Sequence, residues 1–152
     1  MIANNQSSSY HPNKTIELTS VQATKDFAIN IASSLKIGDI LAIEGDMGAG
    51  KTTLCSAIIN YFFSDVIATS PTFNLVNVYS KSDVLIHHYD LYRLSNYVEA
   101  LNIGIEESFS NSITLIEWPD IIKPILPKDI ITIEITTMNN NRYISFQDNR
   151  NI

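Results

Sequence analysis

One cysteine, Cys55, stands among the 152 residues, so no internal disulfide can form and no sulfur-ligand spacing marks a metal site. A lone cysteine is commonly a small buried hydrophobe, and packing on a helix is the expected role of Cys55. Arginine is also scarce: Arg93, Arg142 and Arg150 are accompanied by seven lysines spread singly, and the net charge is −6. A protein that grips nucleic acid unaided needs clustered positive charge to displace counterions from phosphates. No such cluster exists, so any work on RNA should pass through a partner that supplies the basic surface. No apolar run approaches the length of a membrane-spanning helix. The segment from Met1 to Ser9 lacks a basic region followed by an apolar one, which excludes a secretory signal there. A cytoplasmic protein without membrane contact is the expectation.

What the chain does have is an ordinary globular balance, 45% hydrophobic and 17% charged, at a length that suits one domain. Residues 1–13 are polar and aperiodic, and are expected to form a disordered extension before a single domain over 14–150. Lys14 to Leu18 alternates like a strand. Thr19-Ser20-Val21-Gln22 has capping-box spacing. Behind it Ala23, Phe27, Ala28, Ile31, Ala32 and Leu35 give a helix one apolar face, with Gly38 placed to stop it. Ile40 to Ile43 reads as a strand buried on both faces, and Thr53 to Phe63 as a buried helix. Phe73–Tyr79 and Val84–Tyr89 are strand candidates around a turn at Ser80–Asp83. A helix over Val98–Phe109 should be interrupted near Gly104. Ile113–Glu117 is a further strand, and Ile130–Thr137 with Tyr143–Phe146 should form a closing hairpin around Asn139–Asn141. Strands alternating with helices predict an α/β fold, a mostly parallel central sheet flanked by helices with a late antiparallel hairpin.

Between the buried strand and the buried helix lies Gly45-Asp46-Met47-Gly48-Ala49-Gly50-Lys51-Thr52, which satisfies G-x-x-x-x-G-K-[ST]. Each fixed position has a chemical reason. The glycines let the backbone wrap closely, so that N–H groups can point inward at phosphate oxygens. Lys51 sets a positive charge on the outer phosphates. The Thr52 hydroxyl is a hard oxygen ligand for Mg²⁺, and the following helix adds the positive end of its dipole. A chance match would lack the apolar strand before and the buried helix after. This loop is the strongest signal in the chain and predicts an ATP-type nucleotide with Mg²⁺.

Magnesium also needs a carboxylate, usually from the end of a neighbouring strand. Two apolar runs end in acids, one at Asp90 and one at Glu117. Both would arrive at the strand ends where open α/β sheets bind ligands. One could hold the metal while the other orients or deprotonates the attacking water, and the residues alone do not say which. His87 and His88 are adjacent on a strand and face opposite sides, so they cannot easily share a metal. A hydrogen-bonded histidine near the site is the expected role. Trp118 and Pro119 should shape the turn after their strand. The guanine-reading Asn-Lys-x-Asp is absent, which favours adenine. Arg93 is a candidate transition-state finger, and with so few cations intrinsic hydrolysis should be slow unless a partner completes the site.

These residues together resemble the TsaE (formerly YjeE) family, the small ATPases of bacterial threonylcarbamoyladenosine synthesis on tRNA. The likeness rests on the loop from Gly45 to Thr53, on Ser70-Pro71-Thr72-Phe73 against a switch-like S-P-T-[FY], and on His88 to Arg93 against H-x-D-x-Y-R. Ile116-Glu117-Trp118-Pro119 resembles the family's acid-Trp-Pro segment, with Leu126-Pro127 and Arg142 in register, so the likeness runs from about residue 14 to 147. It implies a P-loop α/β fold, ATP hydrolysis, and action through TsaD, which transfers the threonylcarbamoyl group, and its companion TsaB. Transfer to this sequence implies Thr52 and Glu117 on Mg²⁺, Asp90 acting on the water, and Lys51 on the phosphates. Asp46, Met47, Gly48, Ala49, Gly50 and Thr53 would complete the nucleotide loop. Ser70 to Phe73 would respond to the γ-phosphate, and Thr24 and Arg142 would lie near the adenine or a partner surface. The chain departs from the family pattern in its N-terminal extension and at Tyr97-Val98, where an acidic stretch is more usual.

Two other functions use the same loop. A small-molecule kinase would need an acceptor pocket and an arginine-bearing lid, against which three scattered arginines argue. A nucleotide-gated scaffold would bind ATP without needing hydrolysis, and would retain its function after Asp90→Ala.

Overall fold

A computed structural model describes residues 14–71 and 73–150. The expected disordered extension at 1–13 and the switch-like Thr72 lie outside the described residues. In chain order the elements are β1 (Lys14–Leu18), α1 (Val21–Ala32), β2 (Ile40–Gly45), α2 (Lys51–Phe62), β3 (Val76–Lys81) and β4 (Val84–Asp90). They continue with α3 (Tyr97–Asn102), α4 (Ile105–Asn111), β5 (Ile113–Glu117), a 3₁₀ helix over Pro119–Ile125, β6 (Ile131–Met138) and β7 (Asn141–Asp148). The strands form one sheet in the order β1-β7-β6-β2-β5-β4-β3. Its four central strands, β6, β2, β5 and β4, are parallel. Antiparallel strands close both sides, β3 against β4 and β7 against β6, with β1 added outside β7. The α/β fold and the C-terminal hairpin are as the sequence predicts.

The central strand β2 shows why its run of apolar residues has no alternation. Leu41 and Ile43 enter one core with Phe27, Ala28 and Ile31 of α1 and Leu54, Ile58 and Ile59 of α2. Ile40 and Ala42 enter a second core with Ala100, Ile105 and Ile122 on the other face. A strand sandwiched between two helical layers has no solvent side to mark with polar residues. Leu54 is fully buried beneath the phosphate loop, and its truncation to alanine should cost about 2–5 kcal/mol.

Several local expectations shift by a few residues for identifiable reasons. The N-cap of α1 is Ser20, not Thr19: Ser20 is extended and its Oγ accepts the Ala23 N–H at 3.0 Å. Gln22 therefore stands one place too early to reach back, and its amide donates to Asp26 instead. The helix ends at Ala32, where the Ser33 and Ser34 hydroxyls donate to the carbonyls of Asn30 and Ile31. Gly38 instead makes the left-handed turn into β2 (φ 99°) and donates its N–H to Ser112. Gly104, also left-handed, breaks the predicted single helix into α3 and α4. A capping box unnoticed in the sequence starts α3, with Asn96 and Glu99 each bonding the other's backbone N–H. Phe73 precedes β3 rather than opening it, since the strand begins at Val76 after a left-handed Leu75.

Candidate active site

Three parallel strands end together. In register, Ile43 of β2 stands opposite Glu117 of β5, and Glu117 opposite Asp90 of β4. The loop that leaves β2 is bent back sharply, and glycine is required where it starts. A Cβ on Gly45 would lie 2.8 Å from the Ile135 carbonyl oxygen of β6, at a φ of 154°. Gly48 and Gly50 are left-handed as well. Gly50 caps α2 without any side-chain hydrogen bond, so the first N–H groups of that helix are free to face an anion.

Lys51 opens α2 with its side chain buried. Its Nζ donates to the carbonyl oxygens of Gly45 at 2.6 Å and Asp46 at 2.8 Å, and stands 4.1 Å from the centroid of the Trp118 ring. Burial lowers the ammonium's pKa, against the raising pull of Glu117, Asp90 and Asp46. The positive charge is thus held by carbonyl dipoles and a π face, with no carboxylate within ion-pair distance among the described residues. Trp118 does shape the turn, with a left-handed φ of 58° and its N–H on the Ile43 carbonyl. Its contact with Lys51, 67 positions away, has no mark in the sequence.

Thr52 and Glu117, expected to share a metal, do meet: the Thr52 hydroxyl donates to both carboxylate oxygens, at 3.0 and 3.1 Å. A hydroxyl and a carboxylate so placed are the hard oxygen donors that suit Mg²⁺. Glu117 also accepts a hydrogen bond from His88 Nε2 at 2.7 Å. An ionised carboxylate can only accept, so the proton belongs to the imidazole. His87 faces the other way, its Nδ1 bonded to the Ser112 hydroxyl at 2.9 Å, as alternation on a strand requires. Asp90 accepts the Tyr92 N–H at 3.1 Å. Burial raises its pKa above the ordinary carboxylate value, the Tyr92 bond opposes that, and the nearby Glu117 charge adds to it.

Two clefts flank the loop. One, of about 330 Å³, brings Lys51, Thr52, Ser70, Asp90, Glu117 and Trp118 together. The other, about 610 Å³, lies between Ser20, Thr24, Asp46, Asn140 and Arg142, and both clefts touch Met47, Gly48 and Thr53. Arg142 reaches back from β7 to donate to the Gly48 carbonyl at 3.3 Å, so this late residue does belong beside the loop. Ala49 is buried under the loop, its N–H on the Asp46 carbonyl. Of the switch-like segment, Ser70 faces the smaller cleft, Pro71 is buried, and Phe73 is exposed with the Arg93 guanidinium over its ring at 5.2 Å. Ser20, Thr137 and Asn140 also line the larger cleft. Nothing local in the sequence marks them, because a strand, a helix cap and a hairpin turn meet there only after folding.

The family model described as threonylcarbamoyl adenosine biosynthesis protein TsaE matches residues 18–144. The chain belongs to the TsaE family. It is 43% identical over 126 residues to the tRNA threonylcarbamoyladenosine biosynthesis protein TsaE of Rickettsia conorii, covering 82% of this chain and 72% of that one. The same-named protein of Bacillus subtilis is 34% identical over 115 residues, covering 75% and 72%. The crystal structure of Bacillus subtilis YdiB superposes with a TM-score of 0.75 at 28% identity, covering 90% of this chain and 85% of that one. The TsaE match runs from the end of β1 to the middle of β7 and so contains the whole loop and both carboxylates. Among the described residues no helix is long and apolar enough to cross a membrane.

Proposed function

We propose that this TsaE-family chain is a Mg²⁺-dependent ATPase that serves threonylcarbamoyladenosine formation on tRNA in the cytoplasm by acting on TsaD and TsaB. The observation that carries the reading is the meeting of Thr52 and Glu117 beside Lys51, at the uncapped start of α2. That arrangement offers hard oxygens for a metal, a cation for the outer phosphates, and a helix end for an anion. The relatives' shared name, tRNA threonylcarbamoyladenosine biosynthesis protein, supports the pathway.

Phosphate oxygens would draw the Lys51 ammonium off the Gly45 and Asp46 carbonyls, which hold it only as dipoles. Thr52 and Glu117 would hold Mg²⁺, which when bound neutralises charge on the β- and γ-phosphates. Asp90 stands one strand away, with a pKa raised mainly by burial, and a carboxylate so raised is the better base. It would take a proton from the water that attacks the γ-phosphorus as the bond to the β-phosphate oxygen breaks and ADP leaves. Thr24 and Arg142 would border the nucleoside in the larger cleft. With Arg93 resting on Phe73, no arginine is committed to the transition state. Turnover by the isolated protein should therefore be slow. A net charge of −6 suits a protein that reaches tRNA only through its partners.

The test is repeated threonylcarbamoyladenosine formation on tRNA by TsaD and TsaB, with this chain, without it, and with Lys51→Ala. The reading requires that multiple rounds depend on the intact lysine. Modification indifferent to the chain, with ATP still bound, would retire the pathway and leave the nucleotide site. Brisk phosphorylation of a metabolite without partners would favour a kinase instead.

A further inference from the structure

His88 spends its ring proton on a single partner, the carboxylate of Glu117. The side chain is fully buried on β4, on the same face of the strand as Ile86 and as Asp90 two residues on. Its Nε2 donates to Glu117 Oε2 at 2.7 Å, while Nδ1 is buried without a partner among the described residues. Packing alone does not call for an imidazole here. Ile86, before it on β4, and Leu115, opposite it on β5, are fully buried apolar residues of the layer beneath α2. A buried polar ring with one hydrogen bond is less favourable than an apolar side chain of similar size, unless that bond has a use.

Glu117 lines the 330 Å³ cleft, with His88 and Cys55 buried behind it. Burial, then the Glu117 and Asp90 charges, push the Cys55 thiol up, so it stays neutral and leaves His88 as the strong donor on that side. On the cleft side the Thr52 hydroxyl has one proton for two oxygens, at 3.0 and 3.1 Å, and does not choose between them. The bond from His88 does choose. We infer that His88 is a positioning residue, which pins Oε2 of Glu117 and thereby presents Oε1 to Thr52 and the cleft. The inference rests on the reading of Glu117 as a Mg²⁺ ligand, because the orientation matters only if a metal meets that oxygen. A hydrogen-bond partner behind a ligating carboxylate typically governs metal affinity by about ten- to hundredfold. His88 stands opposite Leu115, two residues before Glu117, so the pairing of β4 with β5 sets the distance between donor and carboxylate.

The experiment measures the affinity of the full chain for a fluorescent, non-hydrolysable ATP analogue with and without Mg²⁺. His88→Leu, which keeps the bulk and removes the donor, should weaken Mg²⁺-dependent binding about tenfold and leave metal-free binding unchanged. His88→Gln can set an amide N–H near the place of Nε2 and should restore most of the loss. His88→Asn, too short to reach, should behave like the leucine variant, and it carries the comparison if His88→Leu does not fold. On a Glu117→Ala background the His88 substitutions should add nothing, because no carboxylate is left to orient. Equal losses with and without metal, or a glutamine variant no better than the asparagine one, would overturn the inference. So would a nitrogen NMR spectrum of the metal-free chain that puts the ring proton on Nδ1 alone. If Glu117→Ala leaves Mg²⁺-dependent binding intact, the metal reading of Glu117 falls and takes the inference with it. If Glu117→Ala loses that binding while His88→Leu and His88→Asn keep it, the inference alone falls.

Discussion

Strand β2 carries a cluster of buried charge at each of its ends, and the two are built on opposite terms. At its start, Arg150 donates to Asp39 at 2.9 Å and to Asp148 at 2.7 Å, with further bonds to the Ser34 carbonyl and hydroxyl. All three guanidinium nitrogens are used, and the side chains are almost wholly enclosed. At its far end Lys51 has only carbonyl dipoles and a ring, while Glu117 and Asp90 stand side by side on adjacent strands, with the buried His88 bonded to Glu117 alone. The first cluster is complete without a ligand. The second is left unfinished, and that incompleteness is what a triphosphate and a metal would resolve. A satisfied charge cluster marks a clamp, and an unsatisfied one marks a site.

Substitution can separate the two roles. Lys51→Ala should lower affinity for a fluorescent ATP analogue about 100-fold, with a thermal melt no lower than before. A lower melt with affinity retained would reverse the comparison. Arg150→Ala should do the opposite, costing about 2–3 kcal/mol in chemical denaturation by stranding Asp39 and Asp148, with nucleotide affinity unchanged. Glu117→Ala should weaken Mg²⁺-dependent nucleotide binding about tenfold while metal-free binding changes less. Equal losses with and without metal would assign Glu117 another task.

The smallest effect is in pH dependence, and its sign differs between the ends. Burial pushes the Asp148 carboxyl up, but the Arg150 hydrogen bonds and charge outweigh this and hold it below the usual range. Its stabilisation is present above the ordinary carboxylate pKa and is lost as pH falls through the folded value. Asp90 is raised, chiefly by burial. The folded chain therefore binds that proton more tightly than the unfolded one, and stability declines as pH rises from the ordinary value through the folded one. Asp90→Asn should remove that decline in denaturation curves taken across the acid range, and Asp148→Asn should remove the acid-side loss. Identical profiles for the two variants would mean that the ends do not differ electrostatically.

The legibility of this molecule follows the range of its interactions. The loop, the buried β2 and the two carboxylate-ended strands stand out because each is a local pattern with a chemical reason. The Asn96–Glu99 box is equally local, and at α1 a one-residue offset puts the cap on Ser20 rather than Thr19. What could not be seen was convergence. His88 on Glu117, Lys51 under Trp118 and Arg142 on Gly48 join residues 29, 67 and 94 positions apart, and only the order of strands in the sheet sets them together. Asp90 and Glu117, equivalent in the sequence, differ in their contacts, because Glu117 meets Thr52 and His88 whereas Asp90 accepts the Tyr92 N–H.

Trp118 is the chain's one tryptophan, and the centroid of its ring lies 4.1 Å from the Lys51 ammonium. Every photon of indole emission from this protein therefore originates at one spot, beside the Gly45–Thr52 loop. A cation resting on the ring perturbs the excited state, and its departure toward a phosphate removes that perturbation. If the proposed nucleotide enters the loop, the change in indole emission would report it without any attached dye.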